Sequence, residues 1–153
     1  MRIAVFSDSH GNTGPAIDAV YAHQPQLILH LGDYSRDADA IQKEFPHIEL
    51  HSVRGNCDLA SHAPLSELFE AGGLRIFMAH GHEHGVKLGL DGFRTTALCA
   101  GARIALFGHT HRAYVDEIRN ILFLNPGPAQ RGGSFALLEV EGGVLLSYRI
   151  LPL

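Results

Sequence analysis

The sequence predicts an α/β fold in which two β-sheets face each other and helices cover their outer faces. In the N-terminal part, strand-like runs alternate with polar turns and helical patterns, an order typical of parallel strands with right-handed crossovers. In the C-terminal part, short strands alternate with glycine-rich turns, which favours antiparallel pairing. With 153 residues, 46% of them hydrophobic, the chain is expected to form a single domain, residues 1–153, with a packed core.

The first part of the chain is expected to supply three strands and two helices. The strands are the apolar runs at residues 2–6, 27–31 and 48–53. Thr13 is the expected N-cap of the first helix, which ends before Pro25, and a second helix spans residues 37–45 and ends at Pro46. A polar turn follows each strand, so the three turns should meet at the carboxyl edge of one sheet.

The rest of the sequence predicts shorter strands and one further helix. A hairpin of residues 65–71 and 74–79 turns at Gly72-Gly73, and it is followed by a helix at residues 93–100 and a strand at residues 103–107. Four further strands are expected at residues 114–118, 121–124, 134–140 and 144–151, with Asn125-Pro126-Gly127-Pro128 as a rigid loop between two of them. We expect these four strands to form an antiparallel meander that seeds the second sheet.

Composition and charge argue against several classes of protein. The formal net charge is −4, from 12 Lys and Arg against 16 Asp and Glu, so no basic face is expected for polymeric nucleic acid. No apolar stretch reaches the roughly 20 residues of a membrane-spanning helix. The cysteines, Cys57 and Cys99, form no Cys-x-x-Cys pair, which favours a reducing compartment. We therefore expect a cytoplasmic protein; a homo-oligomer is left open.

Polar side chains of metal-binding type follow the predicted strands. Asp8 and His10 come directly after the first strand, and because they are two residues apart they project to the same side. Five more candidates occupy the corresponding positions after later strands: Asp33, Asn56, His80, His109 and His111. The sequence therefore predicts a cluster of ligands on loops at one edge of the fold.

The chemistry of these side chains indicates the kind of metal. Imidazole, carboxylate and amide oxygen together favour manganese, iron, nickel or zinc over calcium, which prefers oxygen ligands alone. Seven side chains are too many for one ion with an open position, but they suit two ions about 3.5–4 Å apart that share a carboxylate. Asp33, which has no histidine beside it, is the natural bridge.

Five short motifs carry a resemblance to a known family. They are Asp8-x-His10, Gly32-Asp33, Gly55-Asn56-x-Asp58, His80-Gly81-His82 and Gly108-His109-x-His111, in this order. Together they resemble the calcineurin-like metallophosphoesterases, and among them the compact YfcE-type phosphodiesterases. The resemblance implies a four-layer α-β-β-α sandwich with two facing mixed β-sheets.

The resemblance also implies how the ligands are shared between two divalent ions. Asp8, His10, Asp33 and His111 would hold the first ion, and Asp33, Asn56, His80 and His109 would hold the second. Manganese is the expected metal, with nickel, iron and zinc as alternatives. Asp58 is grouped with Asp33, Asn56, His80 and His109 as a catalytic candidate, but it is expected to support the ligands rather than to bind metal.

The implied activity is hydrolysis of a small phosphorylated substrate, with a metal-bridging hydroxide attacking phosphorus in line. A phosphodiesterase is the first expectation, and a phosphomonoesterase or nuclease of the same superfamily is the alternative. A further alternative is a non-catalytic scaffold, as in the retromer subunit that shares this fold; substituted ligands would mark it, and none of the seven is substituted.

Other residues allow two interpretations. Cys57 stands where the wider superfamily has a histidine that could assist the leaving group, but a thiol is a poor substitute, and we expect Cys57 to fill a small space. His82 and His84 could contact substrate or orient His80, or they could lie in a solvated loop. His30, inside an apolar strand, is expected to be a hydrogen-bonded core residue, and Asp37 could brace the site or simply favour its helix N-terminus.

Overall fold

The computed structural model describes all 153 residues. Its ten strands are β1 (Arg2–Phe6), β2 (Leu27–His30), β3 (Glu49–Ser52), β4 (Ser66–Ala71), β5 (Leu74–Ala79), β6 (Ile104–Phe107), β7 (Tyr114–Ile118), β8 (Ile121–Asn125), β9 (Ser134–Glu141) and β10 (Val144–Pro152). Its three α-helices are α1 (Gly14–His23), α2 (Ser35–Glu44) and α3 (Asp91–Cys99), and a short 3₁₀-helix spans His82–His84. None of these helices is long and apolar enough to cross a membrane.

Two mixed five-stranded sheets form the centre of the molecule. The first has the strand order β10-β9-β1-β2-β3, and the second has the order β4-β5-β6-β8-β7. In the first sheet β1, β2 and β3 are parallel, whereas β9 runs antiparallel to β1. In the second sheet β5, β6 and β8 are parallel to one another. The sheets pack face to face through buried aliphatic side chains such as Ile3, Leu29, Ile76 and Leu106.

Helices cover both outer faces. On the first sheet, Ala16 and Val20 of α1 and Ile41 of α2 pack with the strand residues Phe6 and Ile28. On the second sheet, Phe93 and Ala97 of α3 pack with Phe107 and Phe123. The predicted four-layer α-β-β-α sandwich is therefore confirmed.

The prediction that the four C-terminal strands form one meander was wrong. β7 and β8 pair antiparallel and join the second sheet, where β8 lies parallel to β6. β9 and β10 form a separate hairpin that joins the first sheet beside β1. The loop from Pro126 to Gly133 carries the chain from one sheet to the other, and it is too long for a tight hairpin turn. Alternating short strands predict hairpins, but they do not say which sheet edge each hairpin joins.

The second helix begins earlier than its sequence predicted. α2 starts at Ser35, two residues before the expected position, because the backbone amide of Ser35 donates to Oδ1 of Asp58 at 2.6 Å. A carboxylate from another loop thus caps the helix. Thr13 does occupy the N-cap position of α1, but its hydroxyl makes no capping hydrogen bond.

Candidate metal centre

The carboxyl ends of the parallel strands place the candidate ligands at one edge of the two sheets. The backbone ties the loops together, since Asp8 N donates to Gly32 O at 3.0 Å and Gly108 N donates to His80 O at 3.1 Å. The carboxylate and imidazole donors form two groups. One contains Asp8, His10, Asp33 and His111, and the other contains Asp33, His80 and His109; within each group the candidate ligand atoms all lie within 4.8 Å of one another. Asp33 is common to both groups, which is the position expected of a bridging carboxylate.

In the first group, three side chains approach closely around one point. Nε2 of His111 lies 3.1 Å from Oδ1 of Asp8 and 3.2 Å from Nε2 of His10. Two imidazole nitrogens and a carboxylate oxygen at these separations present their lone pairs to the same small volume. This is the donor arrangement that a divalent cation accepts.

The two oxygens of Asp8 have different environments. Oδ2 accepts hydrogen bonds from the Ser7 hydroxyl at 2.6 Å and from His109 N at 3.1 Å. Oδ1 is buried and has no hydrogen-bond partner. A buried carboxylate oxygen without a partner is costly, because its hydration is lost and nothing replaces it. The unpaired oxygen fits a cation held between Asp8 and the neighbouring imidazoles.

In the second group, His80 is fixed from behind. Its Nδ1 donates to Leu31 O at 2.8 Å, and its Nε2 faces Oδ1 of Asp33 at 3.4 Å and Nδ1 of His109 at 3.2 Å. The backbone bond determines the ring orientation and leaves Nε2 as the nitrogen that can bind a metal.

The protonation states of this group suit a cation. Burial raises the pKa of Asp33, but the hydrogen bonds from His80 and from the Cys57 backbone outweigh it and bring the pKa well below its usual range. Burial and the nearby charges of His80 and Lys87 lower the pKa of His109 to about 4. Asp33 is therefore ionised and His109 neutral near neutral pH, which are the forms that bind metal. Burial lowers the pKa of His80, but the carboxylates of Asp33 and Asp8 outweigh this effect, so the pKa of His80 is raised overall. A metal ion therefore competes with a proton for this imidazole.

The third motif contributes Asn56 and Asp58 in different ways. Asn56 is exposed; its Nδ2 lies 3.4 Å from Cys57 Sγ, and its side-chain oxygen makes no hydrogen bond within the protein. It stays a predicted ligand. Asp58 is buried, and its two oxygens accept from the amides of Ser35 at 2.6 Å and Gly55 at 2.8 Å. Asp58 therefore holds the loop, as expected of a supporting residue, and its hydrogen bonds argue against a direct catalytic role.

Several candidate ligands have strained backbones. A positive φ occurs at Asp8 (55°), His10 (48°), Asp33 (55°), His109 (66°) and His111 (54°). This left-handed region costs a residue with a Cβ atom roughly 1–2 kcal/mol. Such strain persists only where the surrounding structure enforces it, and it is concentrated at functional sites.

Two motif glycines are explained by close approach to these ligands. A Cβ atom on Gly55 would lie 2.1 Å from Oδ1 of Asp33, and one on Gly108 would lie 1.9 Å from the hydroxyl oxygen of Ser7. Any larger residue would displace Asp33 or the hydroxyl that binds Asp8. The glycines thus make room for the carboxylates.

A buried network that the motifs do not include joins the first two loops. His30 is fully buried; its Nδ1 accepts from Gly32 N at 3.3 Å, and its Nε2 lies 3.0 Å from the hydroxyl of Ser9. The Ser9 hydroxyl donates to Oδ2 of Asp37 at 2.6 Å, and Gly11 N donates to the same oxygen at 2.7 Å. His30 is a hydrogen-bonded core residue as predicted, and Asp37 braces the loop that carries Asp8 and His10.

A second supporting residue was missed because it was interpreted only as part of a rigid loop. Asn125 is fully buried, and its Nδ2 donates to Gly108 O at 2.9 Å and to the Thr110 hydroxyl at 3.1 Å. Its Oδ1 accepts from Gly127 N at 2.9 Å. Asn125 therefore fixes the loop of His109 and His111. The only signal in the sequence is an asparagine at the end of an apolar strand, as in the other motifs.

The structure separates the two remaining histidines. The His82 ring lies 5.5 Å from the His80 ring and 6.1 Å from the His109 ring, so it borders the site. The His84 ring instead packs edge-on against Phe93 at 5.4 Å and Phe77 at 6.1 Å. His84 thus belongs to the layer between α3 and the second sheet.

Comparison with known proteins identifies the family. The sequence matches the calcineurin-like phosphoesterase superfamily domain over residues 1–143, so the protein belongs to this superfamily. It is 32% identical over 149 residues to the probable metallophosphoesterase YsnB of Bacillus subtilis, with 92% of this chain and 85% of that protein covered. It is 25% identical over 148 residues to the phosphodiesterase MJ0936 of Methanocaldococcus jannaschii, with 83% of each chain covered.

Solved structures share the fold. A predicted phosphoesterase of Streptococcus pneumoniae has a TM-score of 0.84 at 24% identity, and the match covers 99% of this chain and 88% of that one. Vps29 of Entamoeba histolytica, solved in complex with Zn²⁺, has a TM-score of 0.82 at 22% identity, with 99% and 97% covered. At these identities the structures support the fold, while the superfamily rests on the sequence.

Proposed function

We propose that the protein is a phosphodiesterase that hydrolyses small phosphodiesters with two divalent metal ions at this centre. The observation that carries the proposal is Asp33, whose carboxylate belongs to both ligand groups. The buried Oδ1 of Asp8 supports it, because this oxygen accepts no hydrogen bond and lies 3.1 Å from Nε2 of His111, another ligand of the same ion.

The ligands divide between the ions as the two groups suggest. Asp8, His10, Asp33 and His111 would hold the first ion, and Asp33, Asn56, His80 and His109 would hold the second. When bound, the ions would lower the pKa of bound water toward neutral pH and withdraw charge from the phosphoryl oxygens. Manganese is the proposed metal, because the mixed oxygen and imidazole donors suit it, with nickel, iron and zinc as alternatives.

The protein's own groups prepare the site for an anionic substrate. The loops place only two metal-facing carboxylates, Asp8 and Asp33, among the donors, so bound divalent ions keep the centre positive and attract phosphate. The neutral imidazole of His109 and the neutral amide of Asn56 add ligands without cancelling that charge. His80 is held by Leu31 O and therefore needs no reorientation when the substrate binds.

Cys57, which follows the predicted ligand Asn56, favours substrates with good leaving groups. Burial and the nearby carboxylate of Asp33 raise the pKa of the Cys57 thiol, so it stays protonated and is a weak proton donor at neutral pH. The Cys57 backbone amide donates to Oδ1 of Asp33 at 3.0 Å, and that bond does not depend on the side chain. Cys57 therefore contributes chiefly through its backbone.

A preference for diesters over monoesters is part of the proposal. A monoester carries an additional negative charge, and its recognition usually calls for further cationic groups directly at the phosphate. In the sequence, the motif loops carry three cations, Arg36, Arg54 and Arg112, and Arg54 is already turned toward Ser61 O at 3.5 Å. The relative MJ0936 is described as a phosphodiesterase, which supports the same choice.

The alternative of a non-catalytic scaffold has the fold of Vps29 in its favour. Metal binding alone does not separate the two, because that Vps29 structure contains Zn²⁺. Turnover does. All seven candidate ligands are present here, which favours the enzyme.

The exposed free cysteines Cys57 and Cys99 support a reducing, cytoplasmic compartment.

The proposal is tested with the chelated protein and bis(p-nitrophenyl) phosphate. Hydrolysis should vanish on chelation, return with Mn²⁺ or Ni²⁺, and exceed hydrolysis of p-nitrophenyl phosphate in kcat/KM. Asp91→Asn is a matched control, because that aspartate is fully exposed on α3. Full activity in metal-free protein would contradict the metal requirement, and a higher kcat/KM on the monoester would contradict the substrate preference.

A further inference from the structure

A cavity adjoins the loop that carries His109 and His111. Its volume is about 610 Å³, and it lies between the segment after β5 and the loop after β6. Its lining residues are Val86, Lys87, Leu90, Phe107, Thr110, Arg112, Ala113 and Tyr114. Thr110 stands between the two histidines in the chain, so whatever fills the cavity lies next to the metal centre.

The cavity is positively charged although the whole protein is acidic. Lys87 and Arg112 are its only charged lining residues, and no carboxylate lines it. Neither cation takes part in an ion pair in the structure. Unpaired cations beside a phosphate site attract a second anion.

The floor of the cavity is apolar. Val86 and Phe107 are buried, and Leu90 and Tyr114 are half-buried. The Tyr114 hydroxyl is occupied by Arg94 at 2.8 Å and Asp116 at 3.0 Å, so the ring offers mainly carbon surface. An apolar floor with cations beside it suits an organic group that ends in an anion.

A second cavity, against the Cys57 loop, has a different charge. Its volume is about 570 Å³, and its lining includes Cys57 and the charged residues Arg36, Asp39 and Asp58. Arg36 is opposed there by Asp39 and Asp58. This cavity therefore has no excess of positive charge, and it suits an uncharged or polar group.

We propose that the Lys87/Arg112 cavity is a subsite for a second anionic group of the substrate. The favoured substrates are phosphodiesters in which one ester arm is aromatic or apolar and ends in a phosphate or a carboxylate. Lys87 and Arg112 determine this specificity. The inference rests on the proposed phosphodiesterase function and names the substrate class for the same site.

The test compares aryl diesters with one leaving group and different second arms. The substrates are phenyl p-nitrophenyl phosphate and its analogues with a carboxylate or a phosphonate in the para position of the phenyl arm, which separate the two sources of negative charge. The readout is the ratio of kcat/KM for the anionic arm to kcat/KM for the plain phenyl arm. The ratio should be about tenfold in the wild type, since each charged hydrogen bond at a partly exposed site contributes modestly.

The variants show which cation is responsible. Lys87→Gln and Arg112→Gln should each lower the ratio about threefold, and the double variant should bring it near one. Lys43→Gln is the matched control, because Lys43 is an exposed lysine on α2, outside the cavity. An unchanged ratio in the double variant, or a wild-type ratio near one, overturns the subsite even when the enzyme hydrolyses every substrate.

A binding measurement separates failure of the subsite from failure of the proposed function. The probes are phenylphosphonate and 1,4-phenylenediphosphonate, titrated calorimetrically into the manganese-loaded protein. The diphosphonate should bind about tenfold more tightly, and Lys87→Glu should remove that difference. This result without turnover of any diester keeps the subsite and rejects the phosphodiesterase. Equal affinities for the two probes reject the subsite.

Discussion

The two ligand groups that share Asp33 are built differently. The inner group, His80 and His109, lies deep in the edge of the sheets; His80 is fully buried and anchored to Leu31 O. The outer group, Asp8, His10 and His111, combines a fully buried carboxylate with a histidine whose side chain is 42% exposed. No protein acceptor anchors the second ring nitrogen of His111. The inner imidazole is thus oriented before a metal arrives, whereas the outer one is oriented largely by its loop.

This difference predicts unequal affinities of the two groups for metal. A ligand that is already oriented loses little conformational entropy on binding, and its hydrogen-bonded partner raises its basicity. The inner ion should therefore bind more tightly, and the outer ion should exchange first. The shared Asp33 should affect both ions equally.

Asp33→Asn should have the largest effect. The change removes the negative charge that both groups share, so both ions should be lost together and hydrolysis of bis(p-nitrophenyl) phosphate should fall more than about 100-fold. Metal content after dialysis and kcat/KM measure the two effects, with Asp91→Asn as the control. Two bound ions and normal turnover in Asp33→Asn would show that Asp33 is not the bridge.

His80→Ala and His111→Ala should differ from each other. His80→Ala leaves Leu31 O without its donor in a buried position, so it should weaken the inner ion and lower the free energy of unfolding by about 1–3 kcal/mol. His111→Ala removes an exposed ring and should weaken mainly the outer ion with little loss of stability. Manganese titration and urea denaturation give both quantities. Equal losses of stability in the two variants would remove the distinction between the groups.

The backbone strain of the outer group gives a smaller effect. His111 has a φ of 54°, a conformation that glycine adopts without steric cost. His111→Gly should therefore be more stable than His111→Ala by about 1 kcal/mol, although both lack the ligand. Urea denaturation of the chelated variants compares them directly. If the alanine variant is the more stable one, the loop is not strained at this position.

His51 lies outside both ligand groups and makes the stability of the protein depend on pH. This should be the smallest of the expected effects. Burial lowers the pKa of His51, but hydrogen bonds to Glu67 at 2.6 Å and Glu49 at 3.1 Å outweigh it, so the pKa is raised. The stabilisation is fully present below the unfolded pKa of about 6.5 and is lost as the pH rises through the higher folded value.

The corresponding experiment measures the unfolding free energy of chelated protein between about pH 6 and 8. His51→Gln should flatten its pH dependence by no more than about 1 kcal/mol, because the ring is partly exposed to solvent. Phe69→Leu is a matched control, since it removes the ring that stacks on His51 at 4.3 Å but keeps both glutamates. An unchanged pH dependence in His51→Gln would show that this ion pair does not contribute.

Local patterns in the sequence predicted the fold's building blocks and where the chemistry lies. Apolar runs ending in Asp8, Asp33, His80 and His109 showed the strand ends, because a buried strand must give way to polar residues where it leaves the core. The four layers followed from the strand–helix order together with the family resemblance. The assignment of the hairpin of β9 and β10 to the first sheet did not, because its pairing with β1 depends on contacts more than 100 residues apart in the sequence.

The supporting residues were hard to predict for the same reason. Ser9 and His30 are separated by 21 residues, and their contact exists only because β1 and β2 are neighbours. Asn125 acts on Gly108 through the parallel pairing of β8 and β6. The positive φ values of the ligands follow from how the loops are held in the folded protein, so they leave no trace in residue type beyond the glycines beside them.

The most direct test of the account is a manganese titration of the chelated protein that follows binding and hydrolysis of bis(p-nitrophenyl) phosphate together. We expect two binding steps per chain, the tighter one lost in His80→Ala, and hydrolysis that rises only as the second ion binds. Full activity with a single ion bound, or saturation at one ion per chain, would contradict a centre in which Asp33 serves two metals.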